Sequence, residues 1–226
     1  MEPIAHIHTD FKDKFGIPRQ SGLVKDLKGT ITFLPQYRQP EAFRGLEEFS
    51  HIWILFQFHK AMREHWSATV KPPRLGGNTP MGVFATRSPF RPNNIGLSSV
   101  RLDAIEFTKE GGPLLQVSGV DILDGTPIYD IKPYLPYADS HPDATSGFAG
   151  QIGDYRLTVQ FPPHLLQMIP DEKRPTLLQI LSEDPRPGYH QQGAEKTYGM
   201  SFAGYDIRFY IENRTLYVTE VVILPQ

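Results

Sequence analysis

Three strings in the sequence concentrate residues that both shape a loop and carry chemistry. They are Pro18-Arg19-Gln20-Ser21-Gly22, the run from Arg87 through Pro89, Arg91, Pro92 and Asn94 to Leu97 and Ser98, and the run from Asp121-Ile122-Leu123-Asp124-Gly125-Thr126 through Asp130 and Lys132 to Tyr134. Proline fixes φ and glycine lets a backbone approach a ligand closely, so each string reads as a stiff loop holding guanidinium, carboxylate or amide groups in place. One such string is an ordinary turn with incidental charge. Three of them, with Asp184-Pro185-Arg186-Pro187-Gly188-Tyr189 as a fourth, point to a binding site. The charge distribution indicates the ligand class. The formal net charge is only −2, yet no Asp or Glu occurs from His65 to Leu102, a stretch that carries Lys71, Arg74, Arg87, Arg91 and Arg101. That block is +5 and leaves 18 basic against 25 acidic residues elsewhere, −7. An acid-free cationic block rich in Gly and Pro, inside an acidic protein, suits an anion, nucleic acid included.

The elements that must position these loops are mostly strands. The 226 residues (25.6 kDa) are 39% hydrophobic and 21% charged, enough to bury a core and too balanced for a disordered or fibrous chain. The absence of cysteine excludes disulfides, thiolate nucleophiles and cysteine metal sites, and fits a reducing compartment. Met1 to His6 has no leader-like pattern and the apolar run Ile52 to Phe56 is too short to span a bilayer, so a cytoplasmic protein with no membrane partner is expected. His6 and His8 share a strand face without a third ligand in view, so no metal is expected either. Alternating or β-branched runs predict strands at residues 3–8, 29–34, 51–58, 81–86, 97–107 and 114–122, and a short helix within 40–50. Residues 66–96 read as a long Pro/Gly-rich loop region around one short strand. After a linker-like Ser140 to Gly147 come helical patterns at 163–169 and 176–181, then a hairpin of Tyr205–Ile211 and Leu216–Leu224 turned at Asn213-Arg214. The expected fold is mainly β: an antiparallel, barrel-like β domain over 1–140 and a small α+β domain over 141–226.

With these residues in view, the chain resembles the TsaA-like β-barrel methyltransferases. The resemblance spans nearly its whole length: Lys14-Phe15-Gly16-Ile17-Pro18-Arg19-Gln20, Arg44-Gly45-Leu46-Glu47, Phe49-Ser50-His51-Ile52-Trp53, Arg74-Leu75-Gly76-Gly77-Asn78, the two long strings, and Asp184-Pro185-Arg186-Pro187. One departure is Asn94, where family members commonly have Pro. The best-described members N6-methylate threonylcarbamoyl-adenosine beside the anticodon of threonine tRNA. The resemblance implies a single closed β-sheet, a homodimer, tRNA as partner, and S-adenosylmethionine (SAM) as cofactor. Periodicity and spacing alone show no SAM site. The glycine-rich turn of the common methyltransferase fold is missing, and the doublets Gly76-Gly77 and Gly111-Gly112 lack its spacing.

Carried over residue by residue, the family's cofactor pattern falls on Pro18, Arg19, Gln20, His59, Lys60, Arg87, Leu97, Ile122, Leu123, Asp124, Gly125 and Thr126. Arg19 or Arg87 suits the carboxylate of SAM, Leu97 with the Ile122-Leu123 backbone suits adenine, and Asp124 suits the ribose hydroxyls. Asp130, with His59 as the second candidate, is the expected proton acceptor. Arg91 or Lys132 suits the threonyl carboxylate of the substrate, Lys71, Arg74 and Arg101 suit phosphates, and Arg186, Tyr189 and Lys196 suit the anticodon stem-loop. Two alternatives stand beside this reading: a non-catalytic RNA- or anion-binding barrel, and a small-molecule SAM methyltransferase on the same scaffold.

Overall fold

The structure is a computed structural model and describes residues 1–61, 65–72, 79–108, 112–152, 155–186 and 196–225. The chain divides into two compact units, Met1–Asp10 with Arg19–Tyr134, and Phe11–Pro18 with Leu135–Gln226.

In the first unit six strands close a barrel: β1 (Ala5–Thr9), β2 (Lys28–Phe33), β3 (His51–Gln57), β6 (Ile95–Thr108), β7 (Gly112–Ser118) and β8 (Thr126–Pro133), in the order β1-β2-β7-β6-β3-β8. Period-two alternation places Ile7, Ile31, Ile52, Ile54, Val100, Leu115, Val117 and Ile128 inside, all essentially without solvent exposure. Every neighbouring pair is antiparallel. The C-terminal ends of β1, β3 and β7 therefore lie at the same end of the barrel as the N-terminal ends of β2, β6 and β8. The connections β1 to β2 (10–27), β3 to β6 (58–94) and β7 to β8 (119–125) all leave from that end. They, with the first residues of β6, carry the three strings singled out in the sequence.

Several expectations need correction. The sixth barrel strand, β8, lies inside a string read as a shaped loop. Pro127, Asp130 and Pro133 hide it, because Pro and Asp are both depleted in strands. The ladder is irregular at Asp130, where β8 and β3 shift register between Leu55 and Phe56 so that Asp130 faces Leu55 while Ile128 faces Phe56, whereas Pro127 and Pro133 sit opposite His6 and Ile52 in regular register. The strand expected over 81–86 is only β5 (Met81–Gly82), which pairs with β4 (Thr69–Val70) before Val83–Ala85 turns into a 3₁₀ segment. The helix expected within 40–50 is two 3₁₀ turns, Pro40–Phe43 and Leu46–Glu48, separated by Gly45 at φ 85.

The second unit is built on a four-stranded sheet. Strands β10 (Tyr198–Phe202), β11 (Tyr205–Glu212) and β12 (Thr215–Ile223) are antiparallel, and β9 (Thr158–Gln160) adds parallel to β12. The β11–β12 turn falls at the expected Asn213-Arg214, both at positive φ (47 and 63) as a two-residue hairpin requires. Helix α1 (Pro136–Asp139) is a single turn, as is α2 (Pro163–Leu166), shorter than its pattern suggests, while α3 (Arg174–Ser182) buries Leu177, Ile180 and Leu181. The segment Phe11–Pro18 packs here: Phe11 is fully buried with its ring 5.5 Å from that of Phe202. Gly16 sits at φ 89 where a Cβ would lie 2.2 Å from the Met200 sulfur, so both the backbone and the space demand glycine. Among the described residues, no helix is long and apolar enough to cross a membrane.

Candidate active site

At the loop end of the barrel the three connections are tied to one another. The Gly22 N–H donates to the Gly119 carbonyl at 2.9 Å, joining the first connection to the third. Arg87 Nη1 donates to Gln20 Oε1, joining the second to the first. Asp121 gathers all three neighbourhoods. Its Oδ1 accepts from the Ser98 hydroxyl at the start of β6 (2.6 Å), it is hydrogen-bonded by the Ser21 backbone, and it feels the charge of Arg87. Burial pushes the Asp121 carboxyl above its usual range, with these hydrogen bonds and Arg87 opposing the shift. The third connection is itself pinned: Gly125 N–H donates to Ile7 O at 2.8 Å, Thr9 N–H donates to Asp124 Oδ1 at 3.0 Å, and the Thr9 hydroxyl donates to Ile122 O at 3.0 Å. The Thr126 hydroxyl donates to Leu123 O at 2.7 Å and lies 3.4 Å from His59 Nδ1.

Exposure separates the groups by what they can do. Ile122 and Leu123 are buried, so they offer mainly backbone, whereas Leu97 leaves 54% of its surface exposed and Arg87 and Lys60 are exposed. An exposed guanidinium held by an uncharged amide, beside an apolar side chain and a row of fixed backbone groups, suits a ligand with a carboxylate at one end and a flat apolar ring at the other.

Two family models match the chain: tRNA-methyltransferase O N-terminal domain over residues 6–140, and TrmO C-terminal domain over 154–223. The chain belongs to the tRNA-methyltransferase O family. The TrmO relatives include the tRNA (adenine(37)-N6)-methyltransferase of Escherichia coli strain K12, 45% identical over 216 residues that cover 92% of this chain and 91% of that protein. A Pseudomonas aeruginosa PAO1 protein named "Putative S-adenosylmethionine-dependent methyltransferase RcsF" is 41% identical over 216 residues, 93% of this chain and 91% of that one. The crystal structure of TrmO from P. aeruginosa superposes with a TM-score of 0.76 at 35% identity and covers 98% of this chain and 95% of that chain.

Not every candidate site residue lies at this end. Asp130 is four residues along β8 from Thr126, about 13 Å at strand rise. Its Oδ1 accepts from Ile131 N–H at 2.9 Å and its Oδ2 lies 3.0 Å from Lys132 Nζ. Arg101, mid-strand in β6, pairs with Asp103 at 3.2 Å, and Asp103 also binds Lys28 at 2.9 Å. Arg91 braces its own loop, donating to Thr86 O at 2.8 Å. Asn94, at the family's usual Pro position, does similar work: its amide donates to Pro89 O at 2.7 Å. Lys71, next to β4, is exposed. Arg74 and Tyr189 lie outside the described residues. Pro18, Arg186 and Lys196 belong to the second unit. There Arg186 forms a buried pair with Asp184, donating from Nε (2.9 Å) and Nη2 (2.8 Å), and Lys196 Nζ sits 5.6 Å from the Tyr198 ring centroid.

Sequence reasoning missed the centre of the cluster. Asp121 was only one letter of a string, and its place beneath Ser98, Ser21 and Arg87 depends on where β6 and β7 end. Among the described residues no group of three or more His, Asp or Glu is arranged to hold a metal ion. His8 instead lies 3.6 Å from Asp124 and 3.1 Å from the Thr32 hydroxyl.

Proposed function

We propose that the chain transfers a methyl group from SAM to N6 of threonylcarbamoyl-adenosine at position 37 in the anticodon loop of threonine tRNA. The observation that carries this reading is the end-to-end likeness to the E. coli tRNA (adenine(37)-N6)-methyltransferase, 45% identical over 92% of the chain. The three tethered connections at the barrel end support it. The residues present fit SAM: an exposed Arg87 for its carboxylate, an exposed Leu97 for adenine, and fixed backbone groups from Ile122 to Thr126 for the nucleoside. The catalytic barrel extends from residue 1 to 140, the domain of residues 141–226 contacts tRNA, and the protein works as a cytoplasmic homodimer.

Bound there, SAM supplies an electrophilic methyl on sulfonium. The chain's own residues bind, orient and handle the proton. Gln20 orients Arg87, and Asp121 holds the loop edges from which Gln20, Ser98 and Arg87 project. Such fixed positioning of donor against acceptor is where most of the barrier reduction in a one-step displacement comes from. The target nitrogen is conjugated to both adenine and a carbonyl, which weakens its lone pair and acidifies its N–H. A proton acceptor therefore helps. His59 is the better placed of the two candidates, because it follows β3 at the loop end of the barrel, beside Thr126, while Asp130 lies along the barrel wall. Arg91 has donors beyond the one committed to Thr86, and these take the threonyl carboxylate. Exposed Lys71 meets a flanking phosphate, and Arg101, paired with Asp103, meets one farther along the RNA.

Mass spectrometry of tRNA nucleosides from cells lacking this protein tests the proposal. One methylated threonylcarbamoyl-adenosine disappears and returns with the wild-type gene. Its persistence in the deletion strain contradicts the proposal.

A further inference from the structure

The acid-free block contains one feature that the cofactor site does not use. Trp66 and Phe84 are large aromatic side chains with 52% and 72% of their surface exposed, and they stack on each other with ring centroids 6.2 Å apart and planes inclined by 27°. Arg91 lies with its guanidinium carbon 5.9 Å from the Phe84 centroid, so the stack ends in a cation. Two aromatic rings that keep most of their faces in water are costly to leave uncovered, which marks a surface with a partner. The partner's chemistry follows from the surroundings. Between His65 and Leu102 there is no carboxylate to repel a polyanion and there are five cations to attract one. A flat aromatic face beside a guanidinium, in a positive field, matches an unpaired nucleobase with its phosphate.

The platform is also rigidly placed. Phe84 belongs to the 3₁₀ turn Val83–Ala85, whose Val83 is buried and whose Val83 carbonyl accepts from the Thr86 N–H (3.1 Å) and hydroxyl (2.9 Å). Arg91 is fixed to the Thr86 carbonyl. Only two residues separate Phe84 from Arg87, at most about 11 Å of chain. A base held there lies beside the loop that carries the proposed cofactor carboxylate partner.

We propose that Trp66 and Phe84 form a stacking platform for an unpaired base of the RNA substrate, next to the cofactor end of the barrel. The proposal rests on the RNA-methyltransferase reading for the identity of the ligand, and specifies which surface grips the unpaired anticodon loop. The test measures binding of a fluorescent 17-nucleotide anticodon stem-loop to the full chain, beside SAM binding by calorimetry and oligomeric state by sedimentation. Phe84→Ala and Trp66→Ala each weaken RNA binding about tenfold, with SAM affinity and oligomeric state unchanged. Phe84→Tyr, which keeps a planar ring, restores binding to within about twofold. Lost stacking leaves the salt dependence of binding as in wild type, whereas Lys71→Ala lowers the slope of log K against log salt by about one unit. Added RNA quenches tryptophan fluorescence in the wild type and not in Trp66→Phe. Wild-type RNA affinity in both alanine variants overturns the proposal, and so does a change of oligomeric state in either, which makes the patch a subunit contact. Failure of the wild type to bind SAM refutes the methyltransferase reading instead, and leaves the RNA result to judge the platform on its own.

Discussion

The arginines of the two units are held in different ways. In the second unit four arginines are matched to carboxylates: Arg156 to Glu183 (3.2 Å), Arg174 to Asp171 (2.5 Å), Arg186 to Asp184 (2.8 Å), and Arg208 to Asp206 and Glu220 (3.1 and 2.9 Å), while Arg214 lies 4.8 Å from the Tyr155 ring centroid. At the loop end of the barrel the corresponding side chains meet uncharged partners. Arg87 donates to the Gln20 amide and Arg91 to backbone carbonyls, and the nearest acid, Asp121, spends its hydrogen bonds on Ser98 and Ser21. A guanidinium whose charge is cancelled inside the protein stabilises structure. One that is positioned but left with its charge can bind an anion. Among the described residues of the acid-free stretch, Arg87 and Arg91 are thus held by neutral acceptors, while Arg101, near its end, pairs with Asp103 just beyond it.

The largest expected effect breaks the structural side of this contrast. Arg186→Ala leaves the Asp184 carboxylate buried (8% exposed) without its guanidinium, and costs about 3–5 kcal/mol of stability in the second unit. Chemical denaturation followed by Tyr and Trp fluorescence reads that loss, while SAM affinity of the folded protein stays at the wild-type value. Arg87→Ala does the reverse. SAM binding falls about a hundredfold by calorimetry, as expected for losing a charge-assisted contact, while thermal stability changes little because the side chain is exposed. Equal losses of stability in the two variants would erase the distinction.

Gly96→Ala probes the frame under the site. A Cβ there lies 2.3 to 2.8 Å from three ring atoms of buried Phe56, so the strand end must shift and about 1–3 kcal/mol is lost in a thermal melt. Asp121→Asn sharpens the comparison through pH. The folded Asp121 carboxyl takes up its proton at higher pH than the ordinary 3.8, so the folded state is favoured while the group is protonated. That advantage is lost as pH rises from 3.8 through the raised folded value. The asparagine variant therefore melts at a higher temperature than wild type at pH 7, and the difference closes at pH 3.5. Lys132→Ala is the smallest effect: the pair with Asp130 is 64% and 45% exposed, and its loss costs under about 0.5 kcal/mol.

Much of the barrel was legible because its core strands alternate cleanly, and His51 to Phe58 and Leu114 to Ile122 announce themselves by continuous or alternating apolar residues. Strand β8 was hidden because Pro127, Asp130 and Pro133, which lie within it, are residues that spell a loop. The departure of Phe11–Pro18 to the second unit left no compositional mark, since a buried phenylalanine and a positive-φ glycine look the same in either unit. The loops of the site were legible as proline, glycine and charge. The Asp121 cluster was not, because it exists only once three connections leave the same end of a closed sheet. His59 was visible only as a histidine at a strand end, and its contact with Thr126, 67 residues away, exists only once the sheet closes.

Hydrogen exchange followed by mass spectrometry, with and without SAM, tests most directly whether the three connections are the cofactor site. Slowed exchange on adding SAM is expected in peptides covering residues 19–27, 87–97 and 119–126, with peptides of β11 and β12 unchanged. Protection confined to the second unit, or none in any of the three connections at saturating SAM, would contradict the account.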